Sequence, residues 1–217
     1  MNLKNTIILG AILIVVLLAG LFFIPAPEKK SQVEDGYTFF EEKTNLAEII
    51  VEYPSLGYEK ADAALDAVID TFVEDFRSAT KELGESPTGR PYVFVIEDQK
   101  VVESAETIGI LLLVYQDFGG AHGLPQLIGL NFNKETGEEI SLDNVLDVID
   151  QDLQSLSEGA KAHFTEILGE SLFVEGTEAK EENFMSFILE ENEVTFYFQP
   201  YQVAAYALGP QEYKISY

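Results

Sequence analysis

Thr107-Ile-Gly-Ile-Leu-Leu-Leu-Val-Tyr115 is an apolar run with almost no polar interruption, the pattern of a strand buried on both faces. Such a strand needs a covering layer on each side, so it places a sheet at the centre of the fold. It leads into a turn, Gln116-Asp-Phe-Gly-Gly-Ala-His-Gly123, after which Gln126-Leu-Ile-Gly-Leu-Asn-Phe132 reads as its antiparallel neighbour. A second turn, Asn133-Lys-Glu-Thr-Gly137, puts Gly137 at a left-handed bulge position and leads to Glu139-Ile-Ser-Leu142. The expected topology is a meander.

Upstream, Tyr37-Thr-Phe-Phe40, Ala47-Glu-Ile-Ile-Val-Glu-Tyr53 and Tyr92-Val-Phe-Val-Ile96 also read as strands. Between the last two, Ala61, Leu65, Val68, Ile69, Phe72, Phe76, Ala79 and Leu83 recur at three- and four-residue spacing before Gly84, the mark of an amphipathic helix with a glycine stop. A second helix is expected from about Asn144 to Leu168, with Leu146, Ile149, Leu153, Leu156, Ala160, Phe164 and Ile167 on one face and Gly169 after it. Phe184–Leu189 and Val194–Phe198 form an expected hairpin about Glu190-Glu-Asn-Glu193, and Glu212–Tyr217 a last strand.

Between Lys4 and Glu28 lie 23 uncharged residues, most of them apolar. As a helix, Thr6 to Ile24 spans roughly the 30 Å of a bilayer's hydrocarbon core. A cleaved secretory signal has a shorter apolar stretch and a small-x-small cleavage site, and neither is evident here. The reading is an uncleaved transmembrane signal anchor over residues 1–27, followed by a polar linker over 28–36 with Lys29 and Lys30. With Lys4 on the other flank, charge bias hardly decides orientation. The absence of Cys rules out disulfide staples, thiol catalysis and zinc–thiolate sites.

Beyond the anchor, residues 31–217 carry a net charge of about −27. Nucleic acid and anionic lipid surfaces are repelled by such a domain, and cationic partners are attracted. At 47% apolar and 12% aromatic residues the charge does not signal disorder. One stripe stands out on the first helix: Asp62, Asp66, Asp70 and Glu74 succeed one another at i, i+4, where each like-charge pair costs a few tenths of a kcal/mol. It is either a solvated face or an acidic patch for a cationic partner or a divalent ion, and no EF-hand spacing favours calcium.

Enzyme signatures are absent. There is no Gly-x-Ser-x-Gly elbow, no His-Glu-x-x-His, no phosphate-binding loop and no dinucleotide fingerprint. With 38 acidic residues, a glycosidase-like carboxylate pair has no sequence signal that would single it out. His122 follows the Gly119-Gly120 turn without a second His or Cys at metal-ligand spacing, so no catalytic residue, metal or cofactor is expected. Tyr201 and Tyr206 lie five apart in a loop bounded by Pro200 and Pro210, where their rings serve either the core or a protein or sugar partner.

Tyr115-x-x-x-Gly119-Gly120-Ala121-His122-Gly123, Asn131-Phe132, Thr136-Gly137 and Phe198-x-Pro200-Tyr201-x-Val203-Ala204-x-Tyr206-Ala207-x-Gly209-Pro210, in that order, resemble the signature of the RsiV/PdaC-type extracytoplasmic domain family. The resemblance covers about residues 37–217, with Glu52-Tyr53-Pro54 and the helix after it matching the module that precedes the signature. It implies a PdaC-like N-terminal module over 37–115 and an RsiV-like C-terminal module over 116–217. Family members include a transmembrane anti-sigma factor whose ectodomain recognises lysozyme, and a peptidoglycan deacetylase with these modules ahead of its catalytic domain. Neither a sigma-binding segment nor a deacetylase domain is expected in this chain. Gln202 and Ala205 stand where the family pattern has an acidic residue and a second proline.

The expected architecture is α+β: an N-terminal transmembrane helix followed by an ectodomain of antiparallel strands packed against two amphipathic helices. The expected function is recognition at the cell membrane, with the domain extracytoplasmic, a cationic protein such as lysozyme as partner, and Gly119, Gly120, His122, Tyr201 and Tyr206 as binding residues. An envelope glycan hydrolase and a structural subunit of an envelope complex are the alternatives.

Overall fold

The computed structural model describes residues 32–34 and 36–217. The expected anchor at 1–27 lies outside the described residues. Among the described residues no helix is long and apolar enough to cross a membrane.

A six-stranded sheet forms the first layer. It comprises β1 (Gln32–Glu34), β2 (Tyr37–Lys43), β3 (Ala47–Pro54), β4 (Tyr92–Glu103), β5 (Thr107–Asp117) and β6 (Leu124–Asn133), in that spatial order. β1 lies within the segment read as linker and pairs with β2. The expectation of purely antiparallel strands is corrected at one pair: β3 and β4 run parallel, Ala47 opposite Tyr92 and Val51 opposite Ile96. The reason is the connection, since α1 (Glu59–Leu83) carries the chain back to the end from which β3 started. Period-2 burial points Ala47, Ile49, Val51 and Tyr53 inward, and α1 answers with Ala61, Leu65, Ile69, Val73 and Phe76. Leu83, expected on that face, is 46% exposed because the helix ends there, its last turn closed by the Gly84 N–H on the Thr80 carbonyl.

The second layer follows β6. The helix expected from Asn144 to Leu168 is two helices, α2 (Leu142–Val148) and α3 (Leu153–Leu168), which makes three α-helices among the described residues. Local capping explains the break. Ser141 and Asn144 form a reciprocal capping box at the start of α2, and Asp152 accepts the Ser155 N–H at 2.7 Å to start α3 afresh. Ser, Asp and Asn side chains bond neighbouring backbone groups more readily outside a helix than within one. The expected strand from Glu139 is reduced to a single bridge between Glu139 and Phe132. β7 (Phe187–Leu189), β8 (Glu193–Phe198) and β9 (Gln211–Ser216) form an antiparallel three-stranded sheet.

Among the described residues two large hydrophobic cores result, with a smaller cluster between the two sheets. One lies between α1 and the large sheet, around Ile69, Phe76, Phe94, Ile110 and Phe132. The other joins α2 and α3 to the small sheet through Phe164, Phe184, Phe196 and Phe198, with Phe164 edge-on to Phe198 at 4.7 Å. The expected module boundary at 115/116 falls near the end of β5, which pairs with β6 from Thr107 to Gln116. The hydrophobic cores divide between β6 and α2. Leu111, on the face of β5 away from α1, is covered by Ile188 and Tyr197 of the small sheet, which accounts for the apolar run on both faces.

Polar side chains stitch the layers together. Asn131, buried on β6, donates from Nδ2 to the Phe187 carbonyl at 2.8 Å and accepts the Leu189 N–H at 2.9 Å. Ser186 Oγ accepts the Gly129 N–H at 3.0 Å and donates to the Leu127 carbonyl at 2.7 Å. The two strands approach so closely here that a Cβ on Gly129 would lie 2.2 Å from the Phe187 carbonyl oxygen.

Candidate functional site

Two loops converge beside this joint. The first connects β5 to β6. Gly119 takes φ +74° and donates its N–H to Asp117 Oδ1 at 2.8 Å. Gly123 leaves room for the Tyr115 ring, whose atoms lie 2.2 Å from where a Cβ would be. Between them the chain turns His122 to the surface, where its Nδ1 donates to the Gly123 carbonyl at 2.9 Å and so carries the proton.

The second loop leaves β8 at Gln199. The Gln202 N–H bonds the Gln199 carbonyl at 2.9 Å, closing a turn in which Tyr201 adopts φ +71°. That conformation is strained for a bulky residue, since its Cβ crowds the backbone. Gln202 pins the turn: Oε1 accepts the Gln199 N–H, and Nε2 donates to the Asn183 carbonyl at 2.9 Å and the Gly176 carbonyl at 3.3 Å. A carboxylate at this position has no N–H for those two carbonyls, so the glutamine is built into this version of the loop.

The rings meet across the two loops. His122 and Tyr206 lie 4.3 Å apart between centroids at 31°, and Tyr206 and Tyr201 lie 5.4 Å apart at 33°. Tyr206 is half-buried between partners that both face solvent, Tyr201 being 53% exposed. Aromatic contacts of this kind are worth about 0.5–1.5 kcal/mol each beyond area burial. Three of the sequence-derived binding residues therefore form one ring column, while Gly119 and Gly120 shape its base. Leu208, 52% exposed in the same loop, went unnoticed in the sequence because a lone leucine carries no signal.

The acidic stripe of α1 is engaged within the chain. Asp62 accepts the Leu56 N–H at 2.6 Å and the Ser55 hydroxyl at 3.1 Å, and Asp66 accepts the Tyr53 hydroxyl at 2.6 Å. Glu74 pairs with Arg77, which also grips Glu42. Asp70 lies half-buried between these positions. Burial and the Asp66 bond together hold the Tyr53 hydroxyl well above the ordinary tyrosine range. Arg77, which the sequence reading passed over, lies 5.5 Å from the Phe40 ring centroid and lines an open cleft of about 710 Å³ with Thr44, Ser78 and Lys81. None of the ring-column residues borders that cleft. Among the described residues no three His, Asp or Glu side chains converge as a metal site.

Residues 138–217, essentially the second layer, match the family model described as "Protein of unknown function (DUF3298)". Over 190 residues, 84% of this chain, the sequence is 30% identical to the peptidoglycan-N-acetylmuramic acid deacetylase PdaC of Bacillus subtilis (strain 168), and it spans 38% of that protein's length. Two crystal structures share the fold. One is a DUF3298 family member from Bacteroides fragilis, at TM-score 0.55 and 18% identity, covering 88% of this chain and 92% of that one. The other is a DUF3298 family protein from Pseudomonas aeruginosa PAO1, at TM-score 0.51 and 17% identity, covering 89% and 92%. Residues 138–217 thus resemble the DUF3298 family and, together with the layer that precedes them, are consistent with the PdaC-type accessory-domain family.

Proposed function

We propose that this is an extracytoplasmic recognition module, held at the cell membrane by the apolar segment at 6–24, that binds a cationic envelope-active protein and does so without turnover. The observation that carries the reading is Tyr201: an exposed tyrosine kept in a strained backbone conformation, its ring against Tyr206 and, through it, His122. Strain at an exposed ring is not explained by packing, and such positions concentrate where a partner is met. Net charge supplies the partner's sign. A field from −25 charges accelerates encounter with a basic protein, and desolvated tyrosines supply the affinity that survives physiological salt. Lysozyme is the candidate suggested by the family resemblance.

Titrating lysozyme and an unrelated protein of equal positive charge into the full chain, at about 0.01 M and 0.15 M salt, separates the two contributions. Binding of lysozyme should persist at the higher salt and weaken about thirtyfold in Tyr201→Ala. Equal binding of both proteins, lost together at 0.15 M and indifferent to Tyr201→Ala and Tyr206→Ala, would reduce the attraction to nonspecific electrostatics.

A further inference from the structure

The sheets end in strands of very different kinds. β1 is three residues long, and the outer edge of β6 is closed by Ser186 and Asn131 of the joint and by the Ile140 N–H on the Asn131 carbonyl. β9 is six residues long, forms the outer strand of the small sheet, and among the described residues no loop or helix hydrogen-bonds its far side. An open edge of that length presents unpaired backbone groups to any complementary strand. Its side chains alternate: Gln211, Tyr213 and Ile215 are half-buried, while Glu212, Lys214 and Ser216 face solvent.

That alternation is self-complementary in one register. For two copies of β9 related by a two-fold axis normal to the sheet, a register centred on Glu212 sets Glu212 opposite itself. One centred on Lys214 sets Lys214 opposite itself. Like charges directly opposite are destabilising, whereas a register centred on Tyr213 sets Glu212 opposite Lys214 twice over. We infer that β9 is a self-association edge that pairs antiparallel with β9 of a second copy about Tyr213, joining the two small sheets into one continuous six-stranded sheet. Lys214 now reaches back to Glu193 at 3.2 Å with about half its side chain exposed, which leaves it free to turn toward the incoming Glu212. The partner is a second copy because the pattern is palindromic in charge.

Long-range repulsion between two chains of −25 opposes the dimer, so association should strengthen as salt rises. The opposed pairs, about 5 Å apart, lie within the Debye length of about 8 Å at 0.15 M. Sedimentation velocity of the full chain in mild detergent tests the register. The wild type should dimerise more tightly at 0.15 M than at about 0.01 M salt. Lys214→Glu should weaken the dimer by about tenfold or more, and Glu212→Lys with Lys214→Glu should restore it to within about threefold. A wild type that stays monomeric, a dimer indifferent to Lys214→Glu, or a double variant as impaired as the single one overturns the inference. Lysozyme binding by the same variants reports separately on the ring column.

Discussion

The Gln199 carboxamide pairs with the main chain of Leu127 as a neighbouring strand would: Nε2 donates to the Leu127 carbonyl at 2.7 Å and Oε1 accepts the Leu127 N–H at 2.8 Å. Ser186 accepts the Gly129 N–H two residues along the same strand, so two side chains stand in for the strand that β6 lacks. Gln199→Ala leaves the half-buried Leu127 N–H without its partner, while the carbonyl keeps the Ser186 hydroxyl, and should lower unfolding free energy by about 1–2 kcal/mol. Gln199→Glu should cost at least as much, because a carboxylate cannot donate to the Leu127 carbonyl. Urea denaturation of the three proteins checks both.

Two glycines separate steric need from loop composition. Gly129→Ala drives a methyl into the Phe187 carbonyl, which belongs to backbone and cannot swing away, and should destabilise by about 3 kcal/mol or more. Gly120→Ala meets nothing nearer than 3.7 Å and should stay within about 0.5 kcal/mol of wild type. Thermal melts of the pair give the contrast.

Backbone strain at Tyr201 is measurable apart from its ring. Tyr201→Ala and Tyr201→Gly both delete the ring, but only glycine accepts φ +71° without steric cost. Tyr201→Gly should therefore be about 1 kcal/mol more stable than Tyr201→Ala. Equal stabilities would show that the turn relaxes and stores no strain.

Alkaline stability follows from two tyrosines. Burial first, then the bond to Asp66, raises Tyr53 above its ordinary value, and burial followed by the charges of Glu212, Glu190 and Glu193 pushes Tyr197 up to about 12. Once pH exceeds about 10 the unfolded chain gives up these protons while the folded chain keeps them, so the unfolded state is favoured and stability falls. The contribution is whole below pH 10 and fades as pH climbs through the folded values. Denaturation midpoints measured from pH 8 to 11.5 should decline above pH 10, less steeply in Tyr53→Phe and in Tyr197→Phe.

Much of this was legible in the chain, and the misses have physical causes. The apolar run at Thr107–Tyr115 announced a doubly covered strand because burial on both faces leaves no polar position. The parallel pairing of β3 and β4 was hidden because strand periodicity says nothing of direction; only the long α1 between them hints at it. The break at Ile149–Asp152 was masked by an apolar spacing that continues across both helices, although Asp152 carries the signal as a cap. His122 and the two tyrosines could be proposed from their loops, but their convergence depends on a long-range joint that no local pattern encodes. The acidic stripe was legible as a row of carboxylates but its partners were not, since spacing cannot tell a carboxylate aimed only at solvent from one, such as Asp66, that also accepts the Tyr53 hydroxyl.

The joint between β6 and β7 also decides how the chain can be divided. Cut before Leu142, the first layer would keep every strand of its sheet, and the Ile140 N–H on the Asn131 carbonyl, yet bare the Leu127 and Gly129 backbone groups on the outer edge of β6 and leave the Asn131 carboxamide without the Phe187 and Leu189 main chain. An edge so long and so apolar recruits other chains. The two layers are therefore mutually dependent: a truncation that keeps the first without the second should aggregate through the bared part of this edge.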